Sequence, residues 1–235
     1  FYAMAALAWL LALPISVGLV RDRASNETAK ASAPLLDWRL WLRLLKSWRV
    51  GVLCAAAAFT YGPVIGFLGH LQPLLTSKGV APEMAANLAA LLAISVVCGT
   101  LISGILVDRI WAPLVGCIFT IGPVVGCLMM LSPAPGLPVI MAGLILIGLA
   151  QGAEIDVVAY MVARYFGMSA YSSIYGLSVL FITLATALAS ILFGAAFDAF
   201  GHYNFAIAGA AAAFAMGAVC YLLMGRYPAE PGLDS

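Results

Sequence analysis

The sequence predicts an all-α membrane protein with seven transmembrane helices, and three observations carry that prediction. Hydrophobic residues make up 64% of the 235 and charged residues only 9%, against about 25% charged in soluble domains. Mean hydropathy is +1.08, more apolar surface than a soluble fold of this size can hide in its interior. The apolar residues also fall into seven runs, each near the ~20 residues a helix needs to cross a hydrocarbon core of about 30 Å. They lie at 2–20, 50–75, 85–107, 113–131, 137–163, 171–197 and 203–224.

The first run starts at Phe1 without the basic n-region or cleavage site of a signal peptide, so 1–20 reads as a truncated transmembrane helix of a preceding half. Residues 21–49 form a linker. Its first part, 21–33, is small and polar. Its second part is amphipathic: Trp38, Trp41, Leu42, Leu45 and Trp48 recur at helical spacing, with Arg39, Arg43 and Lys46 on another face. That pattern suits a short helix lying in the membrane interface. The six remaining runs, within 50–225, are joined by short loops at 76–84, 108–112, 132–136, 164–170 and 198–202. Such loops force neighbouring helices to run antiparallel. The second run carries Gly62-Pro63 at its centre, with Gly66, Gly69 and Pro73 beyond. Because proline removes a backbone donor and frees a carbonyl, this run is expected to break near Pro63. Residues 226–235 form a polar tail.

Charge sets the orientation. Ten of the eleven Lys/Arg fall in the linker, the tail and the two loops holding Arg109 and Arg164, while Lys78 alone falls in an alternate loop. The positive-inside rule then puts the linker and the C-terminus in the cytoplasm of a cell inner membrane. A net charge of +1 without a dense basic cluster gives no reason to expect nucleic acid as a partner. Cys54, Cys98, Cys117, Cys127 and Cys220 all lie in apolar runs without metal-ligand spacing and read as small buried hydrophobes. No cofactor or metal is expected. The catalytic signatures His-Glu-x-x-His, Gly-Lys-Ser/Thr and Gly-x-Ser-x-Gly are absent from the sequence, and an enzyme is not expected. A pore would show a filter loop or ring of charge, and neither is visible.

The third run ends in Gly104-Ile105-Leu106-Val107-Asp108, and the sixth ends in Gly194-Ala195-Ala196-Phe197-Asp198. Three crossings separate the two Gly-x-x-x-Asp endings, so they emerge on opposite sides, as two inverted three-helix units would require. With Arg109 added, the first ending is similar to the loop motif Gly-x-Leu-x-Asp-Arg-x-Gly-Arg-Arg of the major facilitator superfamily. Ile110, Trp111, Ala112 and Pro113 depart from its second part. Ile147 to Gly152, ending Gln151-Gly152, resembles that family's Arg-x-x-Gln-Gly helix pattern without the Arg. Arg164-Tyr165-Phe166-Gly167 and the stretch 197–203 look like bacterial members, including organic-acid porters. One helix, a long linker and six helices resemble helices six to twelve of such a transporter. The resemblance implies a secondary active carrier of a small organic solute, working by alternating access and coupled to protons, with its N-terminal half as a missing partner. An organic acid is one candidate substrate, although no span holds a deep cation to meet it. A drug or metabolite exporter of the same fold, a non-transporting membrane interaction module and an intramembrane enzyme stand as alternatives.

Glu154 and Asp156 are the acids deep in a span, about 6 and 9 Å from the helix centre at 1.5 Å per residue. A charge there costs several kcal/mol unless it is paired, hydrated or protonated, which makes both functional candidates. They lie about 200° apart on the helix. Asp156 continues the small-residue line of Gly148 and Gly152, followed by Tyr160, so it is expected in a helix-packing surface. Glu154, with Gln151, is expected on a cavity wall as the proton carrier. Tyr61, beside the expected break, and His70, near the outer mouth, are further candidates for the substrate and proton path. Gly176, Thr183, Thr186 and Ser190 form one polar stripe. Thr183 is its candidate for the cavity, and helix packing is the competing account. Asp108 and Arg109 are expected to form a conformational latch against a helix N-terminus of the missing half.

Overall fold

The computed structural model describes residues 47–132 and 135–228. The expected helix at 1–20, the linker up to residue 46 and the last seven residues of the tail lie outside the described residues. All the described residues belong to one compact unit.

Seven helices follow in order: α1 (Trp48–Gly69), α2 (Leu71–Ser77), α3 (Pro82–Val107), α4 (Ala112–Met130), α5 (Leu137–Phe166), α6 (Tyr171–Phe200) and α7 (Asn204–Leu223). All but α2 are long and apolar enough to cross a membrane. Their ends follow local chemistry. Pro82, Pro113 and Pro138 sit in the first turns of α3, α4 and α5, where the missing N–H has no helical partner to lose. Gly201 ends α6 at φ +71°, with its N–H bonded to Phe197 O, the left-handed stop that glycine makes without strain.

One expectation fails. The run 50–75 does not break at Gly62-Pro63: α1 continues through both residues, and the interruption comes seven residues later, at His70. Neighbouring helices let a membrane helix tolerate proline. Here the α6 backbone lies against α1 at this level, where a Cβ on Gly62 would stand 3.1 Å from Ala185 O. At His70 the chain turns out of the helical region (φ −115°, ψ 13°) and restarts as the single short helix α2.

Packing crosses the sequence order. α1 lies chiefly against α6 and α7, and α5 lies chiefly against α3 and α4. α4 and α7 pack on each other. Consecutive helices such as α3 and α4, or α6 and α7, touch far less. Between them runs a core that includes Phe67, Leu74, Leu75, Leu144, Ile147 and Phe214. The outward faces are apolar too: Ile94, Val97 and Leu101 on α3 and Leu184, Leu188 and Ile191 on α6 are all exposed. A surface of that kind suits contact with lipid or another apolar body, in keeping with a multi-pass helical membrane protein.

The chain following α7 is fastened to the bundle. The Tyr165 hydroxyl donates to Gly225 O, and the Tyr227 hydroxyl accepts the Ala112 N–H at 2.9 Å. The Arg164 guanidinium stands 5.1 Å from the centre of the Tyr227 ring. Residues 225–227 therefore tie the last turn of α5 to the first turn of α4.

Candidate functional site

Glu154 is placed by the way α5 meets α3. Gly148 and Gly152 let the two backbones touch: a Cβ on Gly152 would stand 2.0 Å from Val96 O, and one on Gly148 would stand 2.7 Å from Ser95 Cβ. From the other side, a Cβ on Gly99 would stand 2.2 Å from Leu149 O. Thr100 Oγ1 crosses this seam to Gly152 O at 2.9 Å. The expected close-packing stripe is thus present, and it commits one face of α5 to α3. Glu154 is two residues beyond Gly152, about 200° round the helix, and is turned inward, only 3% exposed.

Around the carboxyl stand parts of α1 and α7. The backbone of Tyr61 approaches it without bonding it, and the Tyr61 and Tyr221 side chains both lie within its electrostatic reach. Tyr175, stacked on Tyr171 with ring centres 5.6 Å apart, is close enough to influence Tyr61. Two buried threonine hydroxyls in this layer are spent on their own helices. Thr60 Oγ1 donates to Ala56 O at 2.8 Å and Thr120 Oγ1 to Gly116 O at 2.7 Å. Tyr221, 1% exposed, has its ring against Gly116 and its hydroxyl toward Thr60. None of the described residues hydrogen-bonds the Glu154 carboxyl. Both of its carboxyl oxygens, and the buried Oε1 of Gln151 one turn away, are without a hydrogen-bond partner among the described residues. A buried acceptor left in this state costs about 1–3 kcal/mol, and more when it is charged. Three neighbouring acceptors left unpartnered among the described residues make this chemically a place for a proton or another hydrogen-bond donor.

The sequence candidates divide around this centre. Glu154, Gln151 and Tyr61 come together. Asp156 does not, and here the expectation is corrected: it is exposed rather than packed with Gly148 and Gly152, while Glu154, expected on a wet wall, is the buried acid. Asp156 stands four residues, about 40° of helical drift, beyond Gly152, and its side chain is exposed rather than held in the α3 seam. His70 lies at one end of the bundle, its Nδ1 3.2 Å from Gly66 O and its ring facing Phe193 and Tyr203. Thr183 is exposed on α6 and donates to Val179 O of its own helix at 2.8 Å. The Gly176 end of that stripe meets open space, so helix packing does not account for it among the described residues. Asp108 and Arg109 cap α3 at the surface, both exposed, and neither side chain engages another described residue.

Tyr221, Thr60 and Thr120 were not singled out from the sequence. A tyrosine inside the otherwise apolar α7 is the one signal that could have marked Tyr221. No group of three or more His, Cys, Asp or Glu side chains suited to a metal ion occurs among the described residues. The chain matches no protein-family model, and no curated protein matches it significantly.

Proposed function

We propose that this chain forms one half of a secondary active transporter of the major facilitator type, and that Glu154 carries its coupling proton. The observation that carries the reading is the buried Glu154 carboxyl at mid-depth of a membrane helix, with no hydrogen-bond partner for either oxygen among the described residues. Ionised, such a group gives up its hydration and receives nothing in return. Protonated, it sheds most of that cost. Its charge state therefore follows whichever side of the membrane can hydrate it, which is what alternating access needs from a coupling residue.

The packing pattern supports the architecture. Let α1, α3 and α4 form one unit and α5, α6 and α7 the other, with α1 exchanged for α5, α3 for α6 and α4 for α7. The pair α1–α6 then becomes α5–α3, α1–α7 becomes α5–α4, and α4–α7 returns to itself. Those are the main contacts of the bundle. The exchange also maps the Gly104-to-Asp108 ending of α3 onto the Gly194-to-Asp198 ending of α6. Two three-helix units of inverted topology have this property. The second half, meeting this one across a central cavity, would supply the partner for Asp108 and Arg109 and the opposite wall. The solute is a small organic molecule, and an organic anion would find its cation in that other half, since the described spans place none near Glu154.

The test is proton movement. The natural full-length protein, reconstituted in vesicles loaded with a pH-sensitive dye, is challenged with panels of small organic acids, amines and neutral metabolites. A solute-dependent pH change that disappears in Glu154→Gln supports the reading. Solute flux with no proton movement in the unmutated protein refutes the coupling.

A further inference from the structure

Beside the Glu154 carboxyl lies a second enclosed polar group. Gln151 Oε1 is closed off from solvent and has no hydrogen-bond partner among the described residues, and both Glu154 oxygens are in the same condition. The two residues stand three apart on α5, a spacing that puts Cβ atoms of a helix about 5–6 Å from each other. Side chains of this length bridge that gap. Gln151 as a whole is only half-buried, so its Oε1 is turned toward the interior while the residue keeps part of its surface open.

Room and hydrogen-bond count limit what can join these oxygens. An organic group or a hydrated ion needs space that closed-off atoms do not offer, and a proton needs none. A protonated carboxyl has a single O–H donor. Outside Glu154 itself, Gln151 Oε1 is the enclosed side-chain oxygen among the described residues that still lacks a donor. One proton on Glu154, directed at Gln151, therefore gives both side chains a partner at once.

We propose that Gln151 is the positioning residue of the coupling proton: protonated Glu154 donates to Gln151 Oε1, and that bond sets how tightly the proton is held. The proposal rests on Glu154 as the proton carrier and adds the group that tunes it. The surroundings leave this task to Gln151. Tyr61 on α1 and Tyr221 on α7 lie within electrostatic reach of Glu154, and Tyr175 on α6 acts on Tyr61. These are phenols, uncharged where carboxyls titrate. α3 carries no charged residue beyond Glu83 in its first turn, and α4 carries none. Asp156, on α5 itself, is exposed about 200° round the helix.

The test is infrared difference spectroscopy of the natural full-length protein in lipid vesicles, taken across a pH series. A protonated carboxyl gives a C=O stretch apart from the amide bands, and hydrogen bonding of the group lowers its frequency. Expected is an enclosed-carboxyl band that Glu154→Gln removes. Gln151→Met keeps the side-chain length without a comparable acceptor. In that variant the band should move to higher frequency and titrate away about one pH unit lower, a tenfold weaker hold on the proton for one lost hydrogen bond. Should the Met variant melt early, Gln151→Leu takes its place. A purely structural role for Gln151 would move neither the frequency nor the midpoint. An unmoved band in the Gln151 variants overturns the proposal while leaving Glu154 as the proton carrier. A band that survives Glu154→Gln belongs to another acid and overturns both.

Discussion

Glu154→Gln changes one atom type in the most enclosed acid of the bundle, and the structure sets the size of the effect. The side chain keeps its length and its 3% exposure. It loses the ability to ionise and gains an amide N–H₂ one turn from the unpartnered Oε1 of Gln151. A central carboxylate in a membrane helix costs about 2.5–3.5 kcal/mol on insertion scales. Gln never meets that cost, and a new hydrogen bond to Gln151 would add about 1 kcal/mol of stability. The melting temperature should therefore hold or rise by about 2–4 °C, the usual shift per kcal/mol for a domain of this size. Transport should split. With a pH difference of one unit, each coupled proton supplies about 1.4 kcal/mol, enough for about a tenfold solute gradient. The unmutated protein should approach that ratio. Glu154→Gln should exchange solute across the membrane but stop at equal concentrations. The assay is uptake into proteoliposomes with an imposed pH gradient, paired with exchange at equal pH. Full accumulation by the variant refutes the reasoning, and loss of exchange together with accumulation would show that Glu154 serves the structure instead.

Asp156→Asn, at an exposed position, should leave thermal stability within about 0.5 kcal/mol of the parent; a large drop in melting temperature would restore a packing role. Gly152→Ala should destabilise by about 1–3 kcal/mol, because its Cβ would stand 2.0 Å from Val96 O and force α3 and α5 apart. Gly104→Ala, with nothing within 4 Å, should be neutral or slightly stabilising, and equal melting temperatures for the two would contradict the seam. Single cysteines in a Cys-free background should react with an impermeant reagent outside sealed cells at position 78 but not at 30 or 230, as the split of basic residues requires. Labelling at 30 reverses the orientation.

The helical spans could be read from the chain because a bilayer imposes a one-dimensional rule: about 20 apolar residues, then a break. Each of the six spans expected between 50 and 224 coincides with a long helix, to within a few residues at most ends. The Gly148/Gly152 stripe was legible for a similar local reason, since two missing side chains at i and i+4 always make a groove. Asp156 and Glu154 were harder. Helical phase gave their separation of about 200°, but not which of the two faces another helix would cover. α1 and α7, distant in sequence, decided that. The break at His70 rather than at Pro63 has the same origin: sequence shows the lost donor of a proline, while the α6 backbone against Gly62 supplies the support that keeps the helix whole.

What the sequence determined by itself is therefore the membrane class, the number of long apolar helices between 50 and 224, and the two acids inside one of them, because hydropathy and charge act residue by residue. What only the tertiary structure decided is that α1 leaves its neighbours to pack on α6 and α7, that Thr60, Thr120 and Tyr221 fill the layer around Glu154 while donating nothing to it, and that Gln151 Oε1 is enclosed beside it. Those features depend on which hydrogen bonds and surfaces are already taken when distant helices meet, and no local pattern in the chain records that.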